Sequence, residues 1–98
     1  MSDDTTTLDP SVRLRIAPAA TRWVGNELLV NVGGATAPVH RLGGIGPYLW
    51  NEFVAGRTIG EVADSLQGAT RAPAHKIEQV VRDFAAQLVD VDIAEPIP

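Results

Sequence analysis

An α+β domain, with a three-stranded antiparallel sheet followed by three helices, is what the sequence predicts. Three observations carry this reading. Period-two alternation broken by turn residues fills positions 12–42, and apolar stripes at helical spacing fill positions 45–93. With 98 residues, 45% of them apolar and 20% charged, the chain can bury one core but not two.

The elements follow in order. Residues 1–11 begin polar and acidic, Met1-Ser2-Asp3-Asp4, and are expected to fray. The single domain spans 12–93, and 94–98 is a tail. Val12, Leu14 and Ile16 alternate with Arg13 and Arg15, a strand candidate for the same sheet, and Pro18 interrupts it. Thr21 to Val24 and Glu27 to Val32 read as strands joined by the two-residue turn Gly25-Asn26, a hairpin signal. Gly33 to Thr36 is a second turn. Ala37 to Leu42 is the third strand. Pro38 marks it as an edge, because proline cannot donate to a ladder.

Helical signals start at Gly43. Pro47 suits a first helical turn, where its missing N–H costs least. Ile45, Leu49 and Phe53 share a face, with Tyr48 and Trp50 beside it, and Gly56 ends the helix. Thr58 opens the second helix, and Glu61 completes a capping box. Ile59, Val62, Ala63 and Leu66 form its apolar face, and Gly68 closes it. The third helix starts near Pro73. Ile77, Val80, Val81, Phe84 and Leu88 form a strong stripe, which Val91 and Ile93 can extend. Glu95-Pro96-Ile97-Pro98 cannot continue a helix.

Composition excludes several chemistries. Without cysteine there is no disulfide, thiolate metal site or cysteine nucleophile. His40 and His75 are the only histidines, and neither has a metal-ligating partner at helical spacing. No serine–histidine–carboxylate set or carboxylate pair has a plausible context, so no active site and no cofactor is read. The net charge of −4 arises from eight basic and twelve acidic side chains, and all of it falls in residues 50–98. The β-then-helix order is that of a winged-helix-like fold, which suggests a DNA-binding regulator. Yet the second helix has no basic residue from Thr58 to Leu66. In the third, Lys76 and Arg82 face Glu78, Asp83 and Asp90. Nucleic acid is therefore not expected as a partner. No apolar run reaches the ~20 residues of a membrane span. A cytoplasmic protein without membrane contact is expected.

Two local motifs have competing readings. Gly43-Gly44-Ile45-Gly46 lies between strand and helix, where phosphate loops occur. It lacks the following Lys-Ser/Thr, and Pro47 removes an N–H. Asp64-Ser65-Leu66 is similar to the phosphopantetheine site of acyl carrier proteins. A carrier serine opens a helix, however, and Ser65 lies near the end of the Thr58 helix.

The stretch Leu42-Gly43-Gly44-Ile45-Gly46-Pro47-Tyr48-Leu49-Trp50-Asn51-Glu52-Phe53-Val54-Ala55-Gly56-Arg57-Thr58 resembles the hallmark of PqqD-like peptide chaperones, or RiPP recognition elements. Leu42, Gly46, Leu49, Trp50, Phe53, Gly56, Arg57 and Thr58 fall in register without a gap. Thr58 to Leu66 is similar to the family's second helix, and Phe84, Leu88 and Ile93 to the end of its third. The resemblance spans about Trp23 to Ile93. Gly43-Gly44 departs from the usual Asn-Pro, and Asp92 stands where glycine commonly ends the third helix.

The resemblance implies a non-catalytic function. Such a domain binds the leader of a ribosomally made precursor peptide and presents it to a modifying enzyme, often a radical SAM enzyme. The leader adds beside the third strand and lies against the third helix. Here that implies Ala37, Val39, His40, Arg41 and Leu42 on the strand, and Lys76, Gln79, Val80 and Asp83 on the helix. Lys76 and Asp83 also read as a surface pair that stabilises the helix, and Val80 as core. A free edge can equally pair with its own copy, giving a homodimer.

Overall fold

A computed structural model describes residues 8–34 and 36–97 of the chain. The order is β1 (Arg13–Ile16), β2 (Ala20–Val24), β3 (Glu27–Asn31), β4 (Val39–Leu42), α1 (Gly46–Val54), α2 (Ile59–Ala69), α3 (Ala74–Asp90) and β5 (Ala94–Ile97). β2, β3 and β4 form the expected three-stranded antiparallel sheet with β3 at its centre, and the three helices follow it.

The hairpin between β2 and β3 closes on the pair Val24 and Glu27. Gly25 has φ +63° and occupies the first central position, as a type II′ turn requires. Leu28 and Val30 of β3 are buried, and they hold the sheet onto the helices. Leu49, Trp50 and Phe53 of α1, Ile59, Val62 and Leu66 of α2, and Ile77, Val81 and Leu88 of α3 complete the core. The rings of Phe53 and Phe84 stack with centroids 6.3 Å apart, tying α1 to α3.

Helix ends are set locally. At α2, the Thr58 hydroxyl accepts from the Glu61 N–H (3.1 Å), and the Glu61 carboxylate accepts from the Thr58 N–H (2.8 Å). This is the capping box expected from the sequence. The first helix ends at Gly56, with φ +87°. There the N–H of Arg57 donates to the Glu52 carbonyl and that of Gly56 to the Phe53 carbonyl, a Schellman motif.

Several boundaries differ from the sequence reading. β1 does not join the three-stranded sheet. It pairs antiparallel with β5, from Arg13 opposite Ile97 to Ile16 opposite Ala94. The expected tail at 94–98 is therefore a strand over Ala94–Ile97. The cause is a second Schellman motif at the end of α3. Ile93 donates to Leu88 and Asp92 to Val89, with Asp92 at φ +62°. The turn buries Ile93 and sends the chain back along β1, so Val91 and Ile93 do not prolong the helix.

Of the expected frayed segment 1–11, residues 1–7 lie outside the described residues. Beyond them Leu8 is buried, and Pro10 and the following Val12 cap α2. Their carbonyls accept from the Gly60 and Ile59 N–H groups, each at 2.9 Å. α2 also runs past Gly68 to Ala69. Ile45, expected on the apolar face of α1, is its exposed N-cap residue.

Candidate functional site

β4 is an edge strand, as its proline suggested, but it starts at Val39. The reason lies in the preceding loop. The Ala37 N–H donates to Gly34 (3.1 Å), and its carbonyl accepts from the Asn31 side chain (3.4 Å). Ala37 is thus committed to the turn, which corrects its expected place in the strand. Pro38 has no N–H to extend the ladder.

Antiparallel geometry fixes which backbone groups of β4 are free. In a two-residue hairpin the closing residues, here Val24 and Glu27, bond directly to each other. Along β3 the direction of the polar groups then alternates. Glu27, Leu29 and Asn31 point toward β2, and Leu28 and Val30 toward β4. Their partners Leu42 and His40 point back to β3. Val39 and Arg41 therefore direct their N–H and C=O groups to the open edge.

Side chains alternate the other way, between faces. His40 and Leu42 lie opposite buried Val30 and Leu28 and are half-buried toward the helices. Val39 and Arg41 project from the outer face and are exposed. Arg41 reaches the Glu27 carboxylate at 3.4 Å, an exposed pair worth little.

A groove runs between β4 and α3. One part, of about 360 Å³, is lined by Arg41, Leu42, Ile45, Val80, Asp83 and Phe84. A strongly apolar part of about 220 Å³ continues it, between Ile45, Leu66, Ala72, Ile77 and Val80, with Lys76 at its margin. Ile45 and Val80 belong to both parts. Val80 is 42% exposed, so it is a wall of the groove and not core. Its neighbour Val81 faces the interior. Gly46 permits the narrow join of strand and helix. A Cβ there would meet Leu42 at 3.2 Å and Phe84 at 3.7 Å.

The structure thus brings together Arg41, Leu42, Lys76, Val80 and Asp83. Val39 borders the same edge. His40 and Gln79 line neither part of the groove, although Gln79 donates to Asp83 (2.9 Å) and so orients its carboxylate. That bond replaces the expected pairing of Lys76 with Asp83. Ile45, Phe84, Leu66 and Ala72 are wall residues that sequence reasoning assigned elsewhere or left out. Phe84 carried a signal, as a stripe position one helical turn from Val80.

The rival sites lose their supporting geometry. In the glycine turn the Gly46 N–H donates to Gly43 (2.9 Å), and Pro47 has none, so two of the N–H groups a phosphate loop would use are taken or missing. At α2 the first three N–H groups all have partners, Val12, Pro10 and Thr58. The Ser65 hydroxyl is half-buried on α2 and shares a hydrogen bond with the Tyr48 hydroxyl. Among the described residues no group of three histidine or acidic side chains could hold a metal ion. No helix among them is long and apolar enough to cross a membrane.

No protein-family model matches the chain. No curated protein matches it. Among solved structures, the chain is similar to one described as TbiB1 in complex with the TbiA(beta) leader peptide. The superposition has a TM-score of 0.68 and covers 90% of this chain and 93% of the other, at 17% identity. At that identity the likeness is one of fold, and the PqqD-like resemblance is not accompanied by a family match.

Proposed function

We propose that this chain binds the leader segment of a ribosomally made precursor peptide and performs no chemistry of its own. The observation that carries this reading is the open β4 edge backed by the groove on α3. Val39 and Arg41 offer main-chain donors and acceptors that recognise any extended backbone. Alternate side chains of an added strand enter the space beside Leu42, Val80 and Phe84, which supplies selectivity. A protein of like fold is known in complex with a leader peptide, which supports the same use here.

Ala37 and His40 drop to supporting roles in this proposal. Val39, Arg41, Leu42, Lys76, Val80 and Asp83 contact the leader, with Gln79 holding Asp83. By tethering the precursor, the domain raises its concentration at a modifying enzyme, for which a radical SAM enzyme is the leading candidate. The setting is cytoplasmic, where a ribosomal precursor is made. No cofactor is required for such a role.

The test is a calorimetric titration of the purified chain with leader peptides encoded beside its gene. Saturable binding that moves the Val39 and Arg41 amides in NMR spectra supports the proposal. Failure of every such peptide, together with a gel shift on DNA or loading of Ser65 by a carrier transferase, overturns it. Self-association that ends when leader is added would assign the homodimer to the same edge.

A further inference from the structure

The sheet has a second open edge, at β2, and its surroundings differ from those of β4. Every residue of β2 is exposed. Yet Thr21 and Trp23 lie opposite Val30 and Leu28, on the face that elsewhere forms the core. Trp23 is 57% exposed there, and Val54 of α1 is 55% exposed. Beneath β2 lies a cleft of about 370 Å³ lined by Leu14, Ile16, Thr21, Trp50, Phe53 and Val54, among others, with no charged side chain in its lining among the described residues. The alternation that frees Val39 and Arg41 in β4 frees the N–H and C=O groups of Thr21 and Trp23 here. Among the described residues, the β2 edge therefore combines unpaired backbone with an open cleft whose side chains are mostly apolar.

Charge decides the occupant. Arg22 is at the centre of β2 and forms no ion pair among the described residues. Arg13 donates to the carbonyl of Gly56 (2.9 Å), a residue that lines the cleft. Pairing of two β2 strands in full antiparallel overlap sets Arg22 directly against its own copy. In that arrangement the Cα atoms are about 4.5 Å apart, and like charges so placed repel. We infer that the β2 edge and the cleft beneath it form a second docking surface, for an extended segment of another protein in which apolar residues alternate with acidic ones. The acidic residue lies across from Arg22, and its apolar neighbours point into the cleft. This surface is on the opposite side of the sheet from β4, so it goes beyond the leader reading and does not compete with it for backbone.

The test uses the full chain and two capped hexapeptides, one of alternating leucine and glutamate and one of leucine and lysine, followed by amide NMR. The glutamate peptide is expected to move the Thr21 and Trp23 amides and the Trp23 indole, and to bind about fivefold tighter than the lysine peptide. Arg22→Glu is expected to reverse that order. Shifts confined to Val39 and Arg41, equal affinities, or no shift overturn the inference. So does concentration-dependent broadening at β2 without peptide, which would mean a second copy of this chain. Leader binding is read at Val39 and Arg41 in the same spectra, so either reading can fail while the other stands.

Discussion

Replacing Val39 by proline separates the edge used for binding from the edge used for folding. The Val39 N–H points away from β3, so Val39→Pro removes no bond within the sheet. Proline is tolerated on such an edge, and a preceding Pro38 already favours extended backbone. An added leader strand loses one N–H donor, at a cost of about 1 kcal/mol. Its orphaned carbonyl adds a desolvation penalty of about 1 kcal/mol or more. A loss of about 2 kcal/mol corresponds to about 30-fold weaker leader binding. Calorimetry with the leader gives the affinity, and thermal unfolding checks that the fold is kept. Val39→Thr keeps the N–H and a branched side chain, and is expected to bind within about twofold of the parent. His40→Pro, whose N–H faces β3, is expected to damage the sheet itself. A correctly folded Val39→Pro chain that binds the leader at parental affinity would refute the edge assignment, as would an equal loss in Val39→Thr.

Four further outcomes are expected. Val80→Asp places a charge in an exposed groove wall, so it should weaken leader binding about tenfold with little change in unfolding temperature, whereas Val81→Asp should unfold the chain. Asp92→Gly relieves a left-handed backbone and removes a carboxylate from a helix C-terminus. It should gain about 1 kcal/mol, or about 5 °C in Tm, by calorimetric unfolding. Leu8→Ala should cost about 2 kcal/mol in urea unfolding, because Leu8 is buried; a change near zero would mean the segment is not docked. Glu61 accepts the Thr58 backbone N–H, which holds its carboxyl below the ordinary 4.5. Its contribution is thus complete above that value and is lost as pH falls through the lowered pKa. Stability should drop on acidification below about 4.5, and Glu61→Gln, which keeps the capping bond, should flatten that part of the profile.

Much of the groove is legible in the sequence because its signals are local. Pro38 marks an edge, Gly25-Asn26 fixes the hairpin, and Thr58 with Glu61 fixes the start of α2. What stayed hidden depends on contacts between distant segments. β5 is masked by Pro96, which reads as a terminator until a partner strand is known. The stripe on α3 is wider than the core it faces, so periodicity alone could not tell Val80, at the open groove, from Val81 in the interior. Ala37 fits strand composition, but its backbone is claimed by Gly34 and Asn31. The departure at Asp92 was visible, and the structure shows its consequence. An aspartate there still adopts the left-handed turn that glycine makes easily.

The β1–β5 ladder also bears on how the chain reaches this fold. Arg15 bonds to Glu95 across 80 positions, so those strands cannot meet until synthesis has passed β5. The β2–β3 hairpin and the capped α2 rest on neighbours in sequence and can form early. Closing a loop of that length costs entropy that grows with the logarithm of its length, and such distant contacts slow folding. Until it closes, β1 leaves Leu14 and an unpaired strand edge uncovered, and the domain passes through a stage prone to pairing with other chains.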